Sequence, residues 1–449
     1  MQIALIILAA GKGTRMQSDL PKVLHPIASA PMLTHVLQTG IALSPDRMVV
    51  ITGHGADQVE AVARDTDDTI RFARQTEQLG TGHAVDQARA ALDGFEGVAL
   101  VLFGDTPLIR EDTLQKMCEA ATDHEIVVLG FEPGDPGRYG RLVMKGDSLE
   151  RIVEYKDATD AERAITLCNG GLMACRTPLL FDLIEQTSND NASGEYYLTD
   201  IVGLARNQGL SATVVTCAEE DTIGINTRAH LAQADGYFQA RARADALENG
   251  VTLMAPDAVY FAQDTHIGRD SVIEPNVVFG PGVTVESGAH IRAFSHLEGC
   301  HVSRGAVVGP YARLRPGAEL AEDVKIGNFV EIKNAEIAEG AKVNHLSYVG
   351  DASVGPRANI GAGTVTCNYD GFLKHRTEIE EGAFIGSSTM LVAPVRVGAR
   401  ALTASGSVIT EDVPADAIAM GRARQVNREG MAKKLFEMLK AKKAKLSKG

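Results

Sequence analysis

Two sets of residues in this chain have types and spacings that could do chemistry. The first is Gly11, Lys12, Gly13 and Arg15 in "LAAGKGTRM", with Lys22 just beyond and Asp105 closing "LVLFGD". Glycines at 11 and 13 let the backbone turn tightly and bring its N–H groups to phosphate oxygens, while Lys12 and Arg15 add positive charge. The motif is neither a Walker A loop nor a full G-x-G-x-x-G, and any βα turn can carry a bare G-x-G. "QLGTGHA" at 78–84 offers a second glycine turn. Asp105 reads equally as a Mg²⁺ ligand completed by phosphate and water oxygens, or as a helix cap for the following "TPL". The second set is His345 in "VNHLSYVG", with Arg315, Lys333 and Tyr348. An imidazole is a general base near neutral pH, and the other three could grip a sugar phosphate. "NIGAGTVTCNYDG" could line a coenzyme groove with small residues and backbone N–H groups.

The elements that must position these groups fall into two rhythms. Over the first ~225 residues, "IALIIL", "MVVIT", "VALVLF" and "EIVVLG" read as strands buried on both faces. Helical spacing between them, as at Met32–Ile41 and Ala56–Asp65, predicts an α/β domain with a mainly parallel sheet, a Rossmann-like arrangement. Asp105 then stands at a strand end, where ligands gather in open α/β sheets. Residues 227–249 read as one connecting helix with a glycine stop, expected to link the two halves and cap the first coil of the second.

Beyond it a six-residue beat takes over. Ile267, Ile273, Phe279, Val285, Ile291 and Leu297 form one register, Val302 to Ile332 a second, and Ile379 to Val397 a third. This hexapeptide pattern predicts a parallel β-helix of about nine coils, some 45 Å long, with the aliphatic residues stacked inside. A β-sandwich would alternate at two without a strict six. The beat slips near His345: Ile332 to Ile337 and Val349 to Val354 are steps of five, and Thr366 to Ile379 spans thirteen. Slips in a stacked column mark function when the displaced segments carry chemistry, as they do here. The expected division is 1–226, 227–249, 250–425 and a tail at 426–449. The tail is basic and expected to be a helix fraying into disorder, with Leu435, Phe436 and Leu439 packed down if it holds.

Bulk properties narrow the classes. The chain has 449 residues and a formal charge of −14, which argues against nonspecific nucleic-acid binding. Six scattered cysteines without a C-x-x-C pair suggest neither zinc nor redox chemistry, and read as reduced cytosolic thiols. The apolar start lacks a basic n-region and runs into a glycine loop, so it reads as a buried strand rather than a signal peptide. No apolar run is long enough to span a membrane.

"LAAGKGTRM", "LPKVLH", "QLGTGHA", "GRYGRLV", "VEYKDAT", "SGEYYLTD" and "GINTR", together with the hexapeptide half to about residue 430, resemble one family. It is the bacterial bifunctional N-acetylglucosamine-1-phosphate uridylyltransferase/glucosamine-1-phosphate acetyltransferase. The resemblance implies that Leu8, Ala9, Ala10 and Gly11, with Gln75, Gly80 and Thr81, hold the uridine nucleotide, and that Phe103 and Gly104 belong to the same substrate site. Arg15 and Lys22 would neutralise its phosphates, Gly140, Glu154 and Asn169 would hold the sugar, and Asp105 and Asn226 would ligate Mg²⁺. In the second half it implies His345 as the base that deprotonates the amine of glucosamine-1-phosphate, with Glu331 as its orienter. Arg315, Lys333, Tyr348, Asn359 and Lys374 would contact the sugar phosphate. Ala362, Asn368, Tyr369, Ser387, Ser405 and Arg422 would contact acetyl-CoA. It further implies a cytoplasmic homotrimer whose columns wind left-handed. Phe103 stands where the family usually has Tyr, Gly170 where Thr is usual, and Ser405 where Ala is often found. Two other readings compete: a single-activity nucleotidyltransferase with a structural or regulatory β-helix, and a non-catalytic trimerising scaffold. The first has no need of His345, Lys333, Tyr348, Asn368 and Tyr369; the second has no need of Asp105, Asn226 and Lys22.

Overall fold

Continuous aliphatic runs are strands covered on both faces, and the first half is built on that principle. The fold, a computed structural model describing residues 1–447, places Ile3–Ala9 in the middle of a nine-stranded sheet. Ile3–Ala9 pairs in parallel with Arg47–Thr52 on one side and Val98–Phe103 on the other. Ile126–Phe131 lies further out, and Cys168–Arg176 between it and Val98–Phe103 runs antiparallel to both. The sheet is therefore mixed, although parallel pairs surround the glycine loop. Alternate residues of the first strand enter two cores: Ala4 and Ile6 on one face, Leu5, Ile7 and Ala9 on the other. The helices cover these faces at Met32–Ile41 and Ala56–Thr66, close to the spans expected from spacing.

The long helix Arg228–Glu248 starts at Thr227, whose hydroxyl accepts from the His230 N–H at 3.2 Å, and stops before Gly250 at φ 83°. It packs Leu231, Ala234, Tyr237 and Phe238 beside Met16, Ile27, Met32, Leu108 and Ile225. By contact density the chain divides into two units. One holds Met1–Asn249, Tyr260–Thr265 and Phe279–Pro281; the other holds Gly250–Val259, His266–Val278 and the chain from Gly282 onward.

The second unit is a stack of short parallel strands in sheets of ten and fifteen. Ten stacked strands mean ten coil levels along that sheet, one more than the beat suggested. Ile273, Ile291, Val308, Ile326, Val343, Ile360, Ile385 and Thr403 form one inward file, each buried and each aligned with the next. Thr403 is tolerated there because its hydroxyl bonds the Gly386 N–H at 3.0 Å and lies 3.3 Å from the Thr389 hydroxyl. Large side chains that do not fit this narrow interior are outside it: Phe294, Tyr311 and Phe329 stack face to face on the surface.

The slips have a structural explanation. Both five-residue steps occur in adjacent coils, Glu331–Ile337 and Tyr348–Val354, which stay in register from Glu331↔Tyr348 to Ile337↔Val354. The coil before them turns through Pro316 and Gly317; these two turn with one residue fewer, at Asn334 and Asp351, both at positive φ (44° and 48°). The thirteen-residue step extrudes a loop at the same corner, between Val365–Cys367 and Thr377–Ile379. In the tail, Met431–Leu446 is helical, but Leu435, Phe436 and Leu439 remain exposed, so the expected packing is not found. Residues 448 and 449 of the expected frayed end lie outside the described residues.

Candidate functional sites

The parallel strand ends of the first unit open into a cavity of ≈ 290 Å³. Its wall includes Leu8, Ala9, Ala10, Gly11, Gln75, Gly80, Thr81, Phe103, Lys22 and Asp105, all anticipated from sequence. Leu8 and Phe103 are partners on adjacent strands, and the Gly104 N–H bonds the Leu8 carbonyl at 3.0 Å. Lys12 is exposed and is not in the wall. Gly13 is needed for a different reason from phosphate approach. At φ 59° it lies against Lys22, and an added Cβ would stand 2.6 Å from the lysine's own Cβ. The glycine lets Lys22 lie across the loop.

Lys22 is the centre of the charged end. Its ammonium pairs with the Asp105 carboxylate and reaches Asn226 Oδ1 at 3.2 Å; Arg15 donates to the same amide oxygen at 2.8 Å. Asn226 arrives from far along the chain because the Ile225 N–H bonds the Asp105 carbonyl at 3.0 Å. Gly140, Glu154 and Asn169 also come together, though outside the cavity wall: a Cβ on Gly140 would lie 3.4 Å from Glu154 Oε1 and 3.5 Å from Asn169 Cβ. Asn169 Oδ1 accepts from the Gly171 N–H at 3.0 Å, and Gly171 abuts the Phe103 ring, which connects this group to the cavity. Burial, with Asp157 and Asp200 nearby, pushes the Glu154 carboxyl above its usual range. Gly170 is closely packed: a Cβ would sit 3.1 Å from both the Leu129 carbonyl oxygen and Thr222 Cγ2, so a larger residue would require its neighbours to shift by a few tenths of an ångström. Gln78, Val23 and Glu195 also line the cavity, although sequence assigned them no role; Gln78 and Glu195 lie within the motifs "QLGTGHA" and "SGEYYLTD".

In the second unit His345 ends the strand Lys342–His345 and is exposed. Its Nδ1 lies 2.8 Å from Oδ1 of Asn328, its partner one coil earlier. Glu331, the expected orienter, instead accepts from Arg315 at 2.8 Å, and that carboxylate raises the arginine's pKa further. Asn328 is the ring's neighbour instead because register aligns residue 345 with 328, not 331.

A polar cluster occupies the slipped corner. Asp351 accepts from Asn334 at 2.6 Å and from Asn368, and lies 3.8 Å from the Lys333 ammonium. Burial pushes the Asp351 carboxyl up, but those amide hydrogen bonds and the lysine charges outweigh it and hold it low. The extruded loop brings Lys374 beside Lys333, whose ammonium lowers the Lys374 pKa. Asn368 reaches the Tyr348 hydroxyl at 3.4 Å. Asp351, Asn334 and Asn328 were not foreseen; their role depends on which corner they occupy. Asn359 stands apart, aligned with Lys342, three residues or about 10 Å along the strand from His345.

Four of the expected coenzyme contacts, Ala362, Ser387, Ser405 and Arg422, form a line. Backbone bonds from Gly363 to His345, Ser388 to Ala362 and Gly406 to Ser387 show that His345, Ala362, Ser387 and Ser405 occupy the same position in successive coils. At about 4.8 Å per coil, the file from His345 to Ser405 runs about 14 Å. Arg422 continues it, its Cδ 3.9 Å from where a Gly406 Cβ would be. Small residues thus leave a lane from an imidazole to a guanidinium. Tyr369 lies in the extruded loop and is exposed.

Among the described residues no group of three or more His, Cys, Asp or Glu is placed to hold a metal. No helix among them is long and apolar enough to cross a membrane.

Residues 5–170 match the MobA-like NTP transferase domain, and residues 264–299 match the bacterial transferase hexapeptide model. Over the full chain, proteins named "Bifunctional protein GlmU" are similar: 67% identity with that of Ruegeria pomeroyi over 99% of both chains. That of Jannaschia sp. is 65% identical over 99% of this chain and 98% of its own, and that of Roseobacter denitrificans 63% identical over the whole of both. A solved UDP-glucose pyrophosphorylase with bound UDP-glucose aligns with 54% of this chain and 100% of its own at 17% identity and a TM-score of 0.45, too remote to bear on the sites.

Proposed function

Because this chain belongs to the bifunctional GlmU family, we infer that it is a two-site transferase that makes UDP-N-acetylglucosamine. One half acetylates glucosamine-1-phosphate; the other transfers uridylyl from UTP to N-acetylglucosamine-1-phosphate and releases pyrophosphate. A single-activity enzyme with a spacer column is not favoured, since the column carries a polar site of its own. The observation that carries the two-site reading is the lane from His345 to Arg422 on a column separate from the nucleotide cavity.

In the first half, the phosphate oxygen of the sugar attacks the α-phosphorus of UTP and pyrophosphate leaves. Such a transfer asks for alignment and charge neutralisation rather than covalent participation by the protein. The Leu8–Gly11 turn would receive the nucleotide, Lys22 and Arg15 would bind its phosphates, and Gly140, Glu154 and Asn169 would hold the sugar. Asp105 and Asn226 fit Mg²⁺ because both present hard oxygens toward one ammonium, so a cation is already accommodated between them. Mg²⁺ held there, with phosphate and water oxygens, would supply neutralisation of the triphosphate.

In the second half, His345 would accept a proton from the amine as its nitrogen attacks the thioester of acetyl-CoA. A C–N bond forms, the C–S bond breaks, and the proton is passed to the departing thiolate. Lys333, 3.8 Å from Asp351, and Lys374 beside it would bind the sugar phosphate with Arg315 and Tyr348, and Asn359 would contact it from further along the strand. Ala362, Ser387 and Ser405 would flank the extended coenzyme arm, Asn368 and Tyr369 would border it, and Arg422 would meet its phosphates. The exposed stack of Phe294, Tyr311 and Phe329 supports assembly into a homotrimer, as an apolar surface for a neighbouring copy. Six unpaired cysteines support a cytoplasmic location.

The test uses two assays on the full chain. Free thiol is followed with acetyl-CoA and glucosamine-1-phosphate, and pyrophosphate with UTP, Mg²⁺ and N-acetylglucosamine-1-phosphate. His345→Ala should abolish thiol release and leave pyrophosphate release intact. A wild-type chain that releases pyrophosphate but no thiol would reduce the assignment to a nucleotidyltransferase.

A further inference from the structure

We infer that Asn328 is the positioning residue of acetyl transfer: its side-chain carbonyl holds the proton of His345 on Nδ1, leaving Nε2 unprotonated to receive the proton of the amine. The inference rests on His345 being the base.

An imidazole can act as a base at only one nitrogen, and the hydrogen bond at the other decides which. His345 Nδ1 faces Asn328 Oδ1 at 2.8 Å, and an amide oxygen only accepts, so that contact requires the proton on Nδ1. Among the described residues nothing else bonds the ring, and the side chain is exposed, so Nε2 is left open. The contact is also held from the backbone. Asn328 and His345 are register partners, and the Leu346 N–H donates to the Asn328 carbonyl at 3.1 Å. On the other side of the strand end, the Ser347 hydroxyl donates to the His345 carbonyl at 2.8 Å. Phe329 and Leu346, each next in the chain after one of the pair, both turn through positive φ (56° and 50°), so the two coils leave the strand in the same way. Asn suits this place better than Asp: a neutral acceptor fixes the tautomer without the negative charge that would favour the imidazolium over the free base.

The test is nitrogen-15 NMR of the imidazoles in the full-length chain at neutral pH, assigned by the loss of one ring in His345→Ala, alongside kinetics of thiol release. Wild type should show His345 protonated at Nδ1. Asn328→Ala and the near-isosteric Asn328→Leu should shift the ring toward the Nε2–H tautomer. They should lower kcat about 10- to 100-fold, part of what a positioned base contributes, with both KM values unchanged. Asn328→Asp keeps an acceptor and should keep the Nδ1–H tautomer. Calorimetric unfolding of the second unit reports that each variant is folded, and pyrophosphate release, which uses the other half, is the control for the rest of the chain. If Asn328→Ala does not fold, the Leu and Asp variants carry the comparison. A wild-type ring protonated at Nε2, or slow variants whose tautomer is unchanged, would overturn the inference. A wild type that releases no thiol yet shows the Nδ1–H ring would instead overturn His345 as the base.

Discussion

Gly327→Ala is the sharpest test of how the second site is built. Gly327 precedes Asn328, and a Cβ added to it would lie 1.9 Å from the Asn344 carbonyl oxygen and 2.6 Å from its carbonyl carbon. Ordinary contact begins at 3.4 Å, so the two coils would have to part by about 1.5 Å at this point. That is about a third of the spacing between strands. Both clashing groups are backbone, so no side chain can rotate away. The neighbouring bond from the Leu346 N–H to the Asn328 carbonyl, now 3.1 Å, would break. A lost backbone bond costs about 1 kcal/mol and overpacking costs roughly 1–3, which together destabilise the column by about 2–4 kcal/mol. In a unit of this size that lowers Tm by roughly 5–12 °C. Because Asn328 and His345 separate by the same movement, thiol release should fall about 100-fold, as ångström misplacements of catalytic groups do. Calorimetry and the thiol assay measure the two effects, with pyrophosphate release as the internal control. Gly288→Ala provides the contrast: at φ 74° with nothing within 4 Å of its Cβ, it incurs only left-handed strain, roughly 1 kcal/mol. A Gly327→Ala chain that melts and acetylates like wild type would refute the coil contact on which this reasoning stands.

The first half yields three further expectations. Asp105→Asn should slow pyrophosphate release at least about 100-fold while leaving thiol release unchanged; equal loss of both would mean the halves are not independent. Gly80→Ala should raise the KM for UTP roughly tenfold, because φ 115° is nearly closed to other residues and its Cβ would stand 2.5 Å from the Tyr196 carbonyl oxygen. Glu154→Gln should raise Tm at pH 7 while weakening sugar-phosphate binding. A carboxyl whose folded pKa lies above its unfolded value is neutral in both states at low pH and costs nothing there; above the folded pKa it is ionised in both, and the full cost stands. The Tm advantage of Glu154→Gln should therefore vanish as pH falls toward about 4, and a constant difference across pH would contradict the assigned burial.

Much of this protein can be read along the chain because its regularities are periodic or local. A β-helix coil repeats its inward residue every six positions, so Ile273, Ile291 and Val308 disclose the column without any knowledge of contacts. A strand buried on both faces needs an unbroken aliphatic run, and a tight turn after it needs glycine, so "IALIILAAGKG" reveals both the strand and the mouth of the cavity. The slips also pointed to the polar cluster around Asp351, since side chains able to do chemistry gather where the beat fails.

Pairings across coils and between distant strand ends were settled only by the folded chain. Whether His345 meets Glu331 or Asn328 depends on the residues dropped and inserted at each corner, and a change of one would alter the answer. Asp351 looks like any surface aspartate until the slipped corner turns it inward to two amides and a lysine. Asn226 reaches Asp105 through a backbone bond made by its neighbour, which no spacing encodes. The apolar residues of Met431–Leu446 promised a packed helix, yet amphipathicity specifies a face and not the surface that covers it. Periodicity is a property of one segment repeated, and composition alone can carry it; a site is a meeting of several segments, and only three-dimensional register determines which side chains arrive together.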